Sequence, residues 1–228
     1  MLSWGDNTSG QLGDGTTTQR NAPVSVSNLT DVTAIAAGHG HALALRAGGT
    51  LLAWGNNAYG QLGDLSVTNR TVPVQVLTAV KSMDASAQHS LAVRTDGSLW
   101  AWGDNGFGQL GTGNQTESFF PIQVTGVTGL ASVTAGAHHS MAVGSDGSLW
   151  SWGLNTSGQL GDGTTPLWRL SPAQVTALTG VVMASAGEEQ SVAYLQDGTV
   201  HVWGGNGSGQ LGLGDYASRL TPVQVTGL

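Results

Sequence analysis

The chain has 228 residues, of which 9% are charged and 36 are glycine, against roughly 25% charged and half as much glycine in ordinary soluble domains. Acidic residues outnumber basic ones by 14 to 7 and Lys81 is the sole lysine, which argues against a nucleic-acid backbone or an anionic membrane as partner, since both call for basic patches. Cysteine is absent, so disulfides and thiolate metal sites are ruled out. No apolar run reaches the ~18 residues of a membrane span and no signal-peptide pattern stands at the start, so localisation is not readable.

The chain opens on a decapeptide, Trp4-Gly5-Asp6-Asn7-Thr8-Ser9-Gly10-Gln11-Leu12-Gly13, which returns at Trp54, Trp102, Trp152 and Trp203. Copies about 50 residues apart imply a repeat architecture, in which a residue common to all copies serves the fold and one that departs from the pattern is a candidate for function. Met1-Leu2-Ser3-Trp4 aligns with Leu149-Trp150-Ser151-Trp152, so residues 1–28 read as the second half of a unit, ending in the strand that begins at Pro23-Val24. Whole units follow at about 31–77, 79–126, 128–178 and 180–228, all within one repeat domain.

The unit at 79–126 shows how each folds. Val80 to Ala87 is a short apolar run, and His89-Ser90-Leu91-Ala92-Val93-Arg94 alternates as a strand does. Asp96-Gly97 predicts a two-residue hairpin turn, and Ser98 to Gly103 the return strand, with Trp100 and Trp102 on one face. After a glycine-rich loop, Pro121-Ile122-Gln123-Val124 reads as an outer strand, its proline at the start where no ladder bond is lost. Four strands per unit with recurring glycine and aromatic marks predict an all-β fold, a β-propeller of four-stranded antiparallel blades, with about four and a half blades in this chain.

The pattern Gly-x-x-His-Ser-Leu-Ala-Val, then Asp-Gly-x-Leu-x-x-Trp-Gly-x-Asn-x-x-Gly-Gln-Leu-Gly, then Pro-x-x-Val closely resembles the regulator of chromosome condensation repeat over essentially the whole chain. The uniform repeats resemble a bacterial member. The resemblance implies a propeller of usually seven blades, which needs about 350 residues, and a protein-binding platform: relatives include an exchange factor that docks on chromatin, modules of ubiquitin ligases and channels, and an inhibitor of β-lactamases. The exchange factor's chromatin docking sits poorly with an acidic chain. An initial half-blade without inner strands leaves two explanations open, a piece of a longer protein or closure by self-association through unpaired blade edges; either predicts that the isolated polypeptide is not a plain monomer.

Two groups of residues break the repeat. Between the first and second strands stand Gly38-His39-Gly40-His41, Ser86-Ala87-Gln88-His89, Gly136-Ala137-His138-His139 and Gly187-Glu188-Glu189-Gln190. The recurrent His41, His89 and His139 read as packing residues, as do Trp4, Trp54, Trp102, Trp152 and Trp203. The variable His39, Gln88, His138, Glu188 and Glu189 are expected to ring the channel mouth. No cofactor is required, but His39, His138 and Glu188 could hold a divalent metal such as zinc, with Glu188 or Glu189 as general base of a hydrolase. The second group precedes the outer strands. Arg20, Arg70, Arg169 and Arg219 recur and read as loop-pairing residues, whereas Phe119, Phe120, Trp168 and Tyr216 differ from copy to copy and are candidate anchors for a protein partner, Trp168 being the one expected to be most exposed.

Gly106 to Gly111 and Gly207 to Gly212 fit a dinucleotide fingerprint, but neither opens a helix after a strand. The adjacent His-Ser pairs at 89–90 and 139–140 point to opposite faces of a strand and cannot act on each other. A non-catalytic protein-binding scaffold is therefore the leading expectation and a metal-dependent hydrolase the alternative.

Overall fold

The computed structural model describes residues 1–164 and 166–227. Thr165, in the loop ahead of Trp168, and Leu228, at the end of the last expected blade, lie outside them. Every regular element among the described residues is a strand. A two-stranded half-blade pairs β1 (Leu2–Gly5) with β2 (Arg20–Ser25). Four antiparallel four-stranded blades follow. Blade 1 is β3 (Val32–Ala37), β4 (His41–Arg46), β5 (Leu51–Gly55) and β6 (Arg70–Leu77); blade 2 is β7 (Val80–Ala85), β8 (His89–Arg94), β9 (Leu99–Gly103) and β10 (Ser118–Val124). Blade 3 is β11 (Leu130–Ala135), β12 (His139–Gly144), β13 (Leu149–Leu154) and β14 (Trp168–Gln174); blade 4 is β15 (Val181–Ala186), β16 (Gln190–Leu195), β17 (Val200–Gly204) and β18 (Arg219–Gln224). The blades stack as an open arc, so the sequence expectation of propeller blades holds.

The hairpin between the second and third strands is longer than the two-residue turn expected from Asp96-Gly97. Gly97 N–H donates to Arg94 C=O and Arg94 N–H to Ser98 C=O, and of the pair only Gly97 has a positive φ. This is a three-residue loop, a type I turn closed by a left-handed glycine. Asp96 stays right-handed because its carboxylate accepts the Ser98 N–H and Oγ–H. Those bonds, the hydroxyl's first, hold its pKa below the usual carboxylate value.

The decapeptide is a loop built around its asparagine. Asn7 is fully buried; its Oδ1 accepts the Leu12 N–H at 2.9 Å, and its Nδ2 donates to the carbonyls of Thr16 and Thr18. Asn57, Asn105 and Asn206 repeat this bracing. The recurrent arginines pair with an aspartate of the same loop: Arg20–Asp14 at 2.7 Å, Arg70–Asp64 at 2.6 Å, Arg219–Asp215 at 2.6 Å, and Arg169 with Asp162. A hydrogen bond from the Thr16 hydroxyl, with Arg20 adding to it, pulls Asp14 down to about 2. Where Ser118 replaces the arginine, its hydroxyl caps Phe120 C=O instead.

The apolar core is divided into four clusters, one between each pair of successive sheets. Trp54, Trp102, Trp152 and Trp203 lie in them, fully buried. Each docks on the preceding sheet: its indole N–H donates to Gln11, Gln61, Gln109 or Gln159 C=O, at 2.8–2.9 Å. Trp4, expected to be structural like the others, is 63% exposed. Among the described residues no sheet lies against it as one lies against the others.

Candidate functional site

Three inter-blade interfaces share a relay. His41 Nε2 lies 2.9 Å from Ser90 Oγ, His89 Nε2 2.9 Å from Ser140 Oγ, and His139 Nε2 2.9 Å from Ser191 Oγ. Each serine Oγ–H donates at 2.8 Å to the glutamine carbonyl that also receives the tryptophan N–H. The serine proton being committed, Nε2 must donate, which fixes the Nε2–H tautomer and leaves Nδ1 bare; all three Nδ1 atoms are buried without a partner. Burial pushes His41 and His139 down to about 4 and His89 to about 3, so the rings are neutral. Histidine and serine do meet, but across blades 49–52 residues apart rather than within one His-Ser pair. Being fully buried, with the serine proton already engaged, these couples cannot reach a substrate. The relay stops at both ends of the arc, where Ala42 stands in the place of the serines and Gln190 in that of the histidines.

The inner connectors line a polar opening of about 570 Å³. His39, Asp84, Ser86, Thr134, Ser185 and Glu188 reach it; His138, Glu189 and Gln88 do not border it. Each connector is a tight turn, closed by Gly38 N–H on His41 C=O in blade 1 and by Gly136 N–H on His139 C=O in blade 3, and neighbouring side chains diverge from such a turn. The His138 ring tilts onto Phe107, centroids 4.8 Å apart. Gln88 borders a small recess beside Tyr59, and Glu189 accepts the Ser157 hydroxyl at 3.0 Å. Of the expected ligand set, His39 borders both the opening and the recess beside Tyr59, Glu188 borders the opening, and His138 lies against Phe107 outside it. Among the described residues no group of three His, Asp or Glu side chains is placed to hold a metal ion; Glu188 borders the opening, whereas Glu189 is bonded to Ser157.

The loop rim is different. Tyr216 is 74% exposed and Phe120 48%, both ahead of Trp168 at 39%, contrary to the expectation that Trp168 would be the most accessible. Phe119 is no free anchor. Its ring lies against Gly60 of the preceding blade, the place that Thr71, Leu170 and Leu220 fill beneath Gly10, Gly108 and Gly158. Gly60 has φ +73° and no room for a Cβ, so this contact belongs to blade packing.

Leu65, which the sequence reading did not single out, is 77% exposed at φ +66°. Gly15, Gly113, Gly163 and Gly214 hold the equivalent left-handed position in the other loops. Its N–H donates to Phe119 C=O at 2.9 Å, which sets it beside Phe120, and the exposed Val67 lies two residues on. Aligning the five loops on Asp64 and its counterparts reveals a leucine in a glycine column, a signal visible in the sequence.

A family model described as the RCC1-like domain matches residues 1–228. The chain belongs to the RCC1-like domain family. Among solved structures, this RCC1-like chain is similar to human WBSCR16, with a TM-score of 0.89 at 23% identity, covering 99% of this chain and 62% of that one. It is also similar to yeast RCC1 (Prp20) as solved bound to Kap60, with a TM-score of 0.83 at 25% identity over 94% of this chain and 53% of that one. Prp20p of Saccharomyces cerevisiae, studied for its binding to Gsp1p and histones, gives 0.81 at 24% identity, over 94% of this chain and 55% of that one. A local match of 41% identity over 59 residues, 25% of this chain and 13% of the relative, links it to the ultraviolet-B receptor UVR8 of Arabidopsis thaliana. The RCC1-like chain thus spans little more than half the length of the solved relatives it overlays.

Proposed function

We propose that this RCC1-like chain is a non-catalytic protein-binding scaffold that engages its partner through the loop rim of blades 1 and 2. The observation that carries this is the apolar group of Leu65, Val67 and Phe120, exposed together on one rim, with Leu65 where the other copies hold glycine and Phe120 where they hold the smaller Ala22, Val72, Ser171 and Thr221. An exposed apolar cluster rimmed by polar residues marks an interaction surface, and an aromatic at its centre supplies the anchor that dominates binding energy. Trp168 and Tyr216 on the rims of blades 3 and 4 extend the surface. The yeast relative was solved bound to a protein, Kap60, which accords with a protein partner here without naming it. No observation favours the hydrolase alternative.

The test is alanine substitution of Leu65, Phe120, Trp168 and Tyr216, with dissociation constants measured against a partner purified after cross-linked capture. Phe120→Ala is expected to weaken binding at least tenfold, as a central aromatic does. Unchanged affinity in all four variants would remove the rim from the account.

A further inference from the structure

At each junction between complete blades, the fifth residue after the motif tryptophan lies near the residue that precedes the inner strand of the next blade. Between blades 2 and 3 these are Phe107 and His138, whose rings meet with centroids 4.8 Å apart at 56°. Between blades 3 and 4 they are Ser157 and Glu189, joined by a hydrogen bond of 3.0 Å. Between blades 1 and 2 they are Tyr59 and Gln88, and this junction stays open. The two border a recess of about 140 Å³ together with His39, Asn56, Ala58 and Ala87 among others. Its walls come from blades 1 and 2, both complete, and no residue of the half-blade borders it.

The recess has the size of one side chain, well below the roughly 300 Å³ at which small-molecule pockets begin. Its lining holds no carboxylate, lysine or arginine. Tyr59, 39% exposed, supplies an aromatic wall, as Phe107 does for His138. Asn56 Oδ1 already accepts the Ala58 N–H and the Gln61 Nε2–H, whereas the Gln88 amide offers an acceptor and donors side by side. A neutral imidazole carries one donor and one acceptor on a small flat ring and matches that amide. A phenyl ring would leave the amide without a partner, and a guanidinium would bring five donors to a lining without a carboxylate. The recess also adjoins the loop rim: Gly60, the residue after Tyr59, lies under the Phe119 ring, and the same loop runs on to Leu65.

We propose that the recess takes the neutral imidazole of a histidine presented by the protein partner, in the place that His138 fills from within at the next junction. This rests on the rim being a protein-binding surface and adds a polar determinant to it. Leu65 and Phe120 supply apolar contact, and the recess selects a partner with a histidine beside that contact.

The experiment titrates the full chain at pH 8, where free imidazole is neutral, with N-acetyl-histidine methylamide. The Gln88 side-chain amide and the Tyr59 ring are followed by nuclear magnetic resonance. Expected are saturable shifts of both, and none with the blocked phenylalanine or arginine. Gln88→His, which closes the recess as His138 closes the next one, abolishes the shift of Tyr59 and lowers the affinity of the captured partner about tenfold. Gln88→Leu keeps the recess but removes the amide, and reverses the preference towards the blocked phenylalanine. The proposal fails if the Gln88 amide does not respond, if phenylalanine binds the unsubstituted chain as well as histidine, or if Gln88→His leaves the partner's affinity unchanged. Should histidine bind, and Gln88→His weaken the partner, while the four rim substitutions do not, the rim reading falls and the recess stands.

Discussion

Trp4 and Trp102 begin almost the same decapeptide, yet one is solvent-exposed and the other has no accessible surface. Trp102 is buried because blade 1 offers it the Gln61 carbonyl and an apolar wall from Leu43 to Leu62. Among the described residues none does this for Trp4. The motif thus builds its own loop through Asn7 or Asn105, while the place of its tryptophan is decided by the preceding blade. The sharpest way to break this contrast is substitution of both. Trp102→Ala should lower stability by about 3–5 kcal/mol, the range for truncating a buried aromatic, whereas Trp4→Ala should stay within about 0.5 kcal/mol. Equal shifts in urea midpoint would mean that Trp4 is covered in solution.

The histidine relay separates the same two regions by pH. His41, His89 and His139 have folded pKa values near 4, 3 and 4, below the ordinary 6.5, so the unfolded chain binds the extra protons. Their contribution is fully present above about pH 6.5 and is lost as the pH falls towards 4, by about 3 kcal/mol per histidine over the full window. Carboxylates held low, such as Asp14 at about 2, weaken the fold only at still lower pH. Urea unfolding at pH 7, 5.5 and 4.5 should show the loss, and His89→Gln should reduce it. Amide exchange during acidification should loosen the interfaces between complete blades, which carry the relay, before the one between the half-blade and blade 1, which has Ala42 in place of the serine. A flat profile from pH 7 to 4.5 would contradict buried neutral histidines.

A smaller effect isolates the serine. Ser140→Ala leaves His89 Nε2–H without an acceptor and should cost about 1–3 kcal/mol. Ala42→Ser, facing no histidine, should be close to neutral. Thermal denaturation of the pair reads the difference, and a neutral Ser140→Ala would show that water or a shifted ring replaces the bond.

Much of this was legible in the sequence, because a repeat aligns itself. The strands around His89–Arg94 and Leu99–Gly103, the incomplete first unit and the packing role of the recurrent histidines follow from comparing copies. What the copies did not disclose was direction. His39 and His138 stand one position apart on equivalent connectors, and in a tight turn that step leaves His39 bordering the opening while His138 lies against Phe107 outside it. Sequence spacing does not measure that rotation, so the expected ligand set dispersed. The exposure of Trp4 and the partnership of His41 with Ser90 depend on which blade lies alongside, information held between repeats rather than in any one of them.

Leu65 gives the finest comparison, between one loop and its four counterparts. The left-handed position disfavours a leucine by roughly 1–2 kcal/mol, and glycine gives back about 0.5–1 kcal/mol of that through its greater freedom when unfolded. Leu65→Gly should therefore leave stability unchanged or raise it by up to about 1.5 kcal/mol, while Gly113→Leu in the next loop should lower it by a similar amount. Denaturant midpoints of the two variants test the pair. A stabilised Leu65→Gly that also loses its partner would show that the leucine is kept for binding at the expense of its own loop. A destabilised one would mean that its side chain contributes packing, and the rim would then belong to the fold.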